Sequence, residues 1–302
     1  MDLKKVETKL ENLKKIESKV NSDKNILLIE IMKQNKKLNF FIENALRNQN
    51  LIFSLKSKYD VKNALILRET SIFRKWKRLS KIFWKPKELW IYLTEEQKYA
   101  TDSYSRYERN ILEKIKKTNA DFIVIGERAK QFCQNNNLNI LKEVTPEEKN
   151  NKLSWKLSEL IKILYIEDNY QAVHFVINSN KNNSGNFTVL PISDFDIHRL
   201  AGKEKVVEKL PIEKYKIFPD IEKFIENQIN IFLQNSIESL LVESSFYTAK
   251  VGLVSTNKII NELDEEINKL NKKALRIRRE IEIEEIVLLT KNNEEVLKRG
   301  GN

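Results

Sequence analysis

The first 60 residues place apolar side chains at alternating spacings of three and four, which is typical of a helix that packs along one seam against another helix. Twelve of the sixteen seam positions are apolar, and neither Pro nor Gly interrupts the run. The positions are Leu3, Val6, Leu10, Leu13, Glu17, Val20, Lys24, Leu27, Ile31, Gln34, Leu38, Phe41, Ala45, Asn48, Ile52 and Leu55. The pattern predicts one N-terminal helix of about 90 Å, at a rise of about 1.5 Å per residue.

The C-terminal region repeats the seam more strictly, and only Thr256 interrupts it. Its positions are Ala249, Leu253, Thr256, Ile260, Leu263, Ile267, Leu270, Ala274, Ile277 and Ile281. Apolar residues upstream continue this face back to Pro219, whose fixed φ suits the first turn of a helix. We expect a second helix from about Pro219 towards Leu297, and we expect the two long helices to pair as an antiparallel coiled coil.

The middle of the chain has shorter periods. Residues Glu88 to Thr94 have the composition of a strand, and Ser103 to Lys117 have helical periodicity. The run DFIVI, Asp121 to Ile125, predicts a buried parallel strand that ends in a turn at Gly126. Strand, helix and strand in this order form a βαβ unit.

A helix from Leu153 to Tyr165 is predicted next, followed by a hairpin. The hairpin joins Ala172–Ile177 to Phe187–Leu190 through a turn rich in Asn, Ser and Gly, and we expect it at a sheet edge. The predicted fold class is therefore a small Rossmann-like α/β insert on the two-helix coiled coil. The predicted boundaries are residues 1–60 for the first shaft helix, 61–210 for the α/β domain, and 211–302 for the second shaft helix and tail.

Composition supports long helices, because charged residues make up 32% of the chain while it holds only 6 Gly and 5 Pro. The net charge of +11 is concentrated between Arg68 and Lys87, where eight basic residues and one acid give +7. Apolar residues recur at helical spacing within this segment, which predicts a basic amphipathic helix. Its candidate contact residues are Arg74, Lys75, Trp76, Lys77, Arg78 and Trp84. The alternatives are a surface that docks on lipid or an acidic partner, a helix packed on the α/β domain, and a nucleic-acid-binding segment.

Several kinds of chemistry have no motif in this sequence. The six glycines form neither a Walker A pattern nor G-x-G-x-x-G. His174, expected in a strand, and His198, expected in a loop, have no second ligand at metal-binding spacing, and Cys133 is expected to be a small buried side chain. The paired carboxylates at 264–266 and 282–285 suit a solvated helix face. We predict no catalytic residue, no cofactor and no metal.

The order of these elements resembles the gamma subunit of the rotary ATP synthases, the F-type ATPases. The last helix carries the strongest likeness, with the Glu243-Ser244 pair, Asn257 and the run E-I-E-E-I-V at 282–287. The entry from Pro219, the VIGERAKQF turn at 124–132 and the hairpin ending in TVLPI at 188–192 are also similar to the family. Together these stretches cover nearly the whole chain in order.

The chain departs from the family at two places. The glycine-rich stretch S-D-R-G-L-C-G-G is missing, and LTEEQKYATDSY at 93–104 stands in its place. Leu288, Leu289 and Thr290 follow the E-I-x-E-I-V run where small residues are usual. The family's Arg-Gln pair falls near Leu275 and Arg276, so that contact is half kept. We interpret the chain as a divergent member from a small wall-less bacterium, whose AT-rich genome the Lys- and Asn-rich composition suggests.

The resemblance implies a non-catalytic rotor shaft in the bore of a hexameric ring of alternating alpha- and beta-type nucleotide-binding subunits. An asymmetric shaft can bias chemically equal sites into different conformations, which would couple ATP hydrolysis or synthesis to rotation. Further implied partners are an epsilon-type stalk subunit and a membrane rotor ring or another membrane machine, including one for surface motility. Nucleic acid is not an expected partner.

The implied contacts with the ring lie towards the end of the last helix. They are Arg276, Arg278 and Arg279 as electrostatic contacts, and Ile277, Ile281, Ile283 and Ile286 as an apolar bearing. The alternative is that these are ordinary coiled-coil positions. Because the chain has neither a long apolar run nor a signal-peptide pattern, we expect it in the cytoplasm. The resemblance implies that it lies there as part of a complex, peripheral on the inner face of the cell membrane.

Two functions of other classes remain as alternatives. The first is a coiled-coil protein that binds nucleic acid or a membrane surface through the basic segment. The second is a nucleotide-using enzyme built on the α/β insert, although the insert has no phosphate loop.

Overall fold

A computed structural model of the chain describes residues 3–67, 85–96, 102–144, 152–202 and 212–299; for residues 213 and 291–299 it describes the backbone alone. The described residues are mostly helical and include one small mixed sheet, as the sequence predicted. Residues 68–84 of the predicted basic segment lie outside the described residues.

The elements follow one another in the predicted order, with some additions. They are α1 (Leu3–Tyr59), β1 (Lys87–Leu93), α2 (Tyr104–Ile115), β2 (Asn119–Ile125), α3 (Glu127–Asn135), β3 (Asn139–Val144), α4 (Leu153–Glu167), β4 (Ala172–Val176), β5 (Asn186–Leu190), a 3-10 turn (Ile192–Asp194), α5 (Ile197–Ala201), a second 3-10 turn (Ile212–Lys214) and α6 (Ile221–Arg299).

Both predicted long helices are confirmed as α1 and α6. All sixteen seam positions of α1 are buried or half-buried, and so are those of α6 from Ala249 to Ile277. The start of α6 differs slightly from the prediction. Asp220 caps the helix, since its Oδ1 accepts a hydrogen bond from Lys223 N at 2.8 Å, and Pro219 precedes the helix instead of lying in its first turn.

The sheet has the strand order β3-β2-β1-β4-β5. β1 pairs in parallel with β2 and β4, β2 pairs in parallel with β3, and β5 runs antiparallel to β4 at one edge. The predicted βαβ unit and the edge hairpin are both confirmed. After β3 the chain crosses to the other side of β1, so the strand order reverses between β1 and β4.

The two faces of the sheet have separate cores, because successive residues of a strand point to opposite faces. Leu89, Ile91 and Leu93 of β1 join a cluster with residues of α1, α4 and α6. Trp90 and Tyr92, from the same strand, pack with residues of α2 and α3. One face of the sheet therefore holds the long helices, and the other holds two short ones.

The sequence did not predict α3 and β3, for which it gave only a turn after Gly126. β3 lies at the edge of the sheet and only one of its six residues is buried, so it has no apolar alternation. The expectation of a loop at His198 was wrong, since this residue is buried in α5. His174 in β4 and the buried Cys133 agree with the predictions.

The chain forms two compact units, residues 30–250 and residues 1–29 with 251–302. The larger unit contains the sheet and both cores. In the smaller unit, Val6, Ile260 and Ile267 are buried. Two ion pairs join α1 to α6 there, Lys9 with Glu266 at 2.8 Å and Glu7 with Arg278 at 2.5 Å.

Candidate functional site

Open parallel sheets bind ligands outside the carboxyl ends of their strands, at the point where the strand order reverses. In this sheet that point lies between β1 and β4. Thr94 and Glu95 follow β1, and Asn178 and Ser179 come shortly after β4. These four residues define the sheet crevice, which is where an open parallel sheet binds its ligand.

Thr94 closes the β1 side of the sheet crevice. Its Oγ1 accepts a hydrogen bond from Ala129 N at 3.2 Å and donates one to Ile125 O at 3.3 Å. Gly126 has a φ of 97°, and a Cβ at this position would lie 2.3 Å from Thr94 O. An open helix N-terminus can bind a phosphate, but protein atoms fill this one at the start of α3.

Tyr107 of α2 contacts the β4 side of the sheet crevice. Its hydroxyl donates to Ser179 O at 3.0 Å and accepts from Ser179 N at 3.3 Å. The loop at 177–185, between β4 and β5, approaches the Tyr107 ring closely, since a Cβ at Gly185 would lie 2.8 Å from that ring. Asn178 and Ser179 are buried as a result.

Side chains of α6 occupy the space between these two sides. Ser245 Oγ donates a hydrogen bond to Glu95 Oε1 at 2.9 Å, and Ser179 Oγ donates one to Glu243 Oε1 at 2.5 Å. Glu243 and Ser244, one of the features that carry the family resemblance, have no exposed surface. The sheet crevice therefore holds a helix of the chain itself where an open α/β domain holds a ligand.

Glu243 has an unusual electrostatic environment. Burial raises the pKa of its carboxyl group, and the Ser179 hydrogen bond and the charges of Lys181 and Lys250 oppose this only in part. Its Oε2 has no hydrogen-bond partner within the described part of the chain.

Arg128, in the VIGERAKQF stretch, joins α2 and α3 on the outer side of the sheet. Its guanidinium bonds Glu108 Oε1 at 2.8 Å and Asp102 Oδ1 at 2.7 Å. The hydrogen bond to Glu108 raises the pKa of Arg128. Because acids of the same chain neutralise this cation, we assign it a structural role instead of anion binding.

The residues predicted to contact a ring lie on α6 in the smaller unit. Arg276 pairs with Glu280 on the same helix at 2.9 Å, Arg278 pairs with Glu7 of α1, and Arg279 is exposed. Ile277 is half-buried on the seam. The first two arginines thus already have acidic partners, although both pairs are exposed and therefore weak.

The apolar residues beyond Ile277 are increasingly exposed. Ile281 is 38% exposed, whereas Ile283 and Ile286 are 61% and 62% exposed. Leu288 and Leu289, which depart from the family pattern, are 61% and 66% exposed. We call residues 281–289, in which Glu282, Glu284 and Glu285 lie between the apolar side chains, the apolar tip. Exposed apolar patches commonly mark interaction sites.

The other predicted contact residues, Arg74, Lys75, Trp76, Lys77, Arg78 and Trp84, lie outside the described residues. Lys87 begins β1, and its Nζ lies 3.3 Å from Asp121 Oδ2. Across the described ranges, no helix has the length and apolar content needed to cross a membrane. The same ranges contain no group of three or more His, Cys, Asp or Glu side chains that could hold a metal ion.

The sequence did not predict the roles of Thr94, Tyr107 and Ser179. Strand order decides where the sheet crevice lies, and strand order depends on pairing between distant segments. The available signal was indirect: Ser and Asn residues follow a buried strand, and the last helix carries a Glu-Ser pair in an otherwise apolar stretch.

No known family model matches the chain. The chain is 46% identical over 294 residues to the uncharacterized protein UU050 of Ureaplasma parvum serovar 3, and the match covers 97% of this chain and 95% of that protein. Among solved structures, the fold is similar to a chain of the Euglena gracilis mitochondrial ATP synthase rotor in rotational state 1, with a TM-score of 0.45 and 10% identity. That match covers 92% of this chain and 98% of the other.

Two further solved structures are similar at the same low level. A chain of the Euglena gracilis mitochondrial ATP synthase OSCP/F1/c-ring gives a TM-score of 0.47 with 10% identity, covering 99% of this chain and 96% of the other. A chain of the Tetrahymena thermophila mitochondrial ATP synthase central stalk and c-ring gives 0.40 with 13% identity, covering 78% and 99%. The sequence match over almost the whole of both proteins does show kinship, and the chain belongs to the same family as UU050 of Ureaplasma parvum.

Proposed function

We propose that this chain is the gamma-type rotor shaft of a rotary F-type-like ATPase and that it has no catalytic site of its own. The observation that carries the proposal is the order of features along the chain. A long helix comes first, an α/β insert second, and last a long helix with Glu243-Ser244 and the E-I-E-E-I-V run at 282–287. In this role the shaft couples ATP hydrolysis or synthesis in a surrounding hexamer to rotation.

The shaft itself is the pairing of α1 with α6 as an antiparallel coiled coil. Burial along the seam positions of both helices supports this pairing, as do the ion pairs of Lys9 with Glu266 and Glu7 with Arg278. Supercoiled helices with continuous seams are stiff, and a shaft that transmits rotation must be stiff.

The α/β insert acts as the foot of this shaft and binds no nucleotide. The filled sheet crevice supports that role, because Glu243 and Ser245 of α6 take the place of a ligand. The same contacts fix residues 243–245 of α6 to the sheet of the larger unit.

The apolar tip is the proposed bearing against the ring. Exposed isoleucine and leucine side chains in a helix lose water favourably when a partner covers them, at about 25 cal/mol per Å² of buried apolar area. Arg276, Arg278 and Arg279 add electrostatic contacts by exchanging their weak pairs with Glu280 and Glu7 for acids of the ring. Alpha- and beta-type nucleotide-binding subunits are the proposed ring.

We place the complex on the inner face of the cell membrane, where it drives a membrane rotor ring or another machine, such as one for surface motility. An epsilon-type stalk subunit completes the proposed assembly. The relative in Ureaplasma parvum fits the bacterial source expected from the composition.

The test is to isolate the chain gently from its own cells with an antibody to the purified protein and to identify its partners by mass spectrometry. The proposal predicts two different nucleotide-binding subunits in equal amounts, and a membrane ion-channel ring would show an ion-driven load. A chain that is always free of such subunits contradicts it. Binding to nucleic acid that weakens steeply with salt would favour a nucleic-acid partner through the basic segment instead.

A further inference from the structure

Glu243 is the one acidic side chain of the described residues that has no exposed surface at all. It lies on α6 inside the sheet crevice, and Ser236, Ser239 and Ser244 of the same helix are equally buried. An ionised carboxylate in such a place costs several kcal/mol unless it is paired and hydrogen-bonded.

The surroundings of Glu243 satisfy only half of the carboxyl group. Ser179 Oγ donates to Oε1, while Oε2 has no hydrogen-bond partner among the described residues. Ser179 is itself fixed, because Lys181 N donates to its Oγ at 3.0 Å and Tyr107 holds its backbone. The donor therefore cannot turn towards Oε2 without breaking the loop contacts.

Among the described residues, no cation makes an ion pair with Glu243. The charged groups that act on it are Lys181, in the loop after β4, and Lys250, on α6 itself. Lys250 Nζ lies 4.1 Å from the centre of the Phe246 ring. From α2 the group that faces this site, through Ser179, is the Tyr107 phenol. Burial outweighs these charges and raises the pKa of Glu243.

We propose that Glu243 is a proton-dependent clasp between α6 and the α/β domain. With its proton, the carboxyl group keeps the Ser179 hydrogen bond and stays buried. When it ionises, Oε2 carries charge without a hydrogen-bond donor. Opening the site to water then lowers the free energy of the chain, because water solvates the charge. The loop at 177–185 then loosens from α6, and the grip of the domain on the long helix weakens. The proposal concerns the isolated chain, so it stands or falls independently of the rotor role.

The direction of the pH effect follows from proton linkage. The side-chain pKa of Glu in an unfolded chain is about 4.3, and the pKa of Glu243 in the folded chain is higher. The folded state therefore binds more protons between those two values, so stability falls as pH rises through this window and levels off above the folded pKa. When the folded state binds one proton more than the unfolded state, the unfolding equilibrium constant changes about tenfold per pH unit.

The experiment compares the purified full chain with Glu243→Gln, which keeps the shape and the Oε1 acceptor but cannot ionise. Glu226→Gln is the matched control, since Glu226 is an exposed residue of the same helix. Urea unfolding across the pH range should show wild type and Glu226→Gln losing stability relative to Glu243→Gln by up to about tenfold per pH unit. Hydrogen exchange of the 177–185 amides should accelerate with pH in the same two proteins beyond the chemical rate. Parallel profiles in all three proteins overturn the proposal.

A second measurement covers the case in which Glu243→Gln fails to fold. Infrared spectra of the wild-type chain should show a protonated-carboxyl band that persists above the pH at which ordinary carboxyl groups ionise. If all protonated-carboxyl bands disappear together at about pH 4, Glu243 carries no proton in the folded chain above that pH. That result contradicts the proposed clasp.

Discussion

Two stretches of α6 reverse the usual distribution of polar and apolar side chains. Between 236 and 245 the helix buries Ser236, Ser239, Glu243 and Ser244 completely. Between 281 and 289 the same helix exposes isoleucine, valine and leucine side chains by 38% to 66%. Soluble proteins keep most charged groups outside and most large apolar groups inside.

The difference between the stretches lies in where their partners are. In the buried polar stretch, Glu243 and Ser245 find partners within the chain, in Ser179 and Glu95 at the sheet crevice. The apolar tip has no such cover among the described residues, and we propose that a second protein buries it. One stretch bonds the helix to its own domain, and we propose the other as the surface for assembly.

The largest expected difference between the two stretches comes from the same substitution in each. Ile237→Ala removes a side chain with no exposed surface and should lower the free energy of unfolding by about 2–5 kcal/mol. Ile283→Ala, at a residue that is 61% exposed, should change it by less than about 0.5 kcal/mol. Urea unfolding of the two purified chains measures both values. Equal losses would mean that the apolar tip is already covered within the chain.

A smaller difference is expected between two buried serines. Ser179→Ala removes the donor to Glu243 and should cost about 1–3 kcal/mol, because a buried acceptor is left unpaired. Ser244→Ala removes a buried hydroxyl that has no partner in the described chain, and should change stability by less than about 0.5 kcal/mol or raise it. Thermal and urea unfolding at fixed pH compare them. If Ser244→Ala proves the costlier change, the sheet crevice is not held through Ser179.

The smallest effect is expected where α6 meets α1 through exposed charges. The Glu7 and Arg278 side chains are 41% and 55% exposed, so their coupling should be about 0.2–1 kcal/mol at low salt and less at high salt. A double-mutant cycle with Glu7→Ala and Arg278→Ala measures it. Arg276→Ala, which breaks a pair within α6, is the control and should show no coupling to Glu7. A coupling that survives high salt would indicate a buried pair.

The sequence predicted the long helices well because their signal is local and repeated. Seam positions recur over many turns, so even the polar ones, such as Glu17 and Lys24, lie on the buried side of α1. The βαβ unit and the hairpin were also predicted, since DFIVI and AVHFVI are compact apolar runs. β3 was missed because an exposed edge strand such as NILKEV has no such pattern.

The candidate site was less accessible from sequence. Glu243 was found through its motif, but its burial depends on strand order and on the packing of α6, which no local pattern encodes. Thr94, Tyr107 and Ser179 come from three separate segments that meet only in the folded domain. The contacts predicted for the apolar tip and for the basic segment remain predictions.

Photo-crosslinking from the apolar tip tests the rotor role most directly. A photoreactive residue replaces Ile286, which is 62% exposed, and in a control chain it replaces Ile163 of α4, which is 46% exposed. In living cells, the rotor account predicts that position 286 crosslinks to a nucleotide-binding subunit and that position 163 does not. Crosslinks from position 286 only to unrelated proteins, or equal crosslinks to that subunit from both positions, would contradict the account.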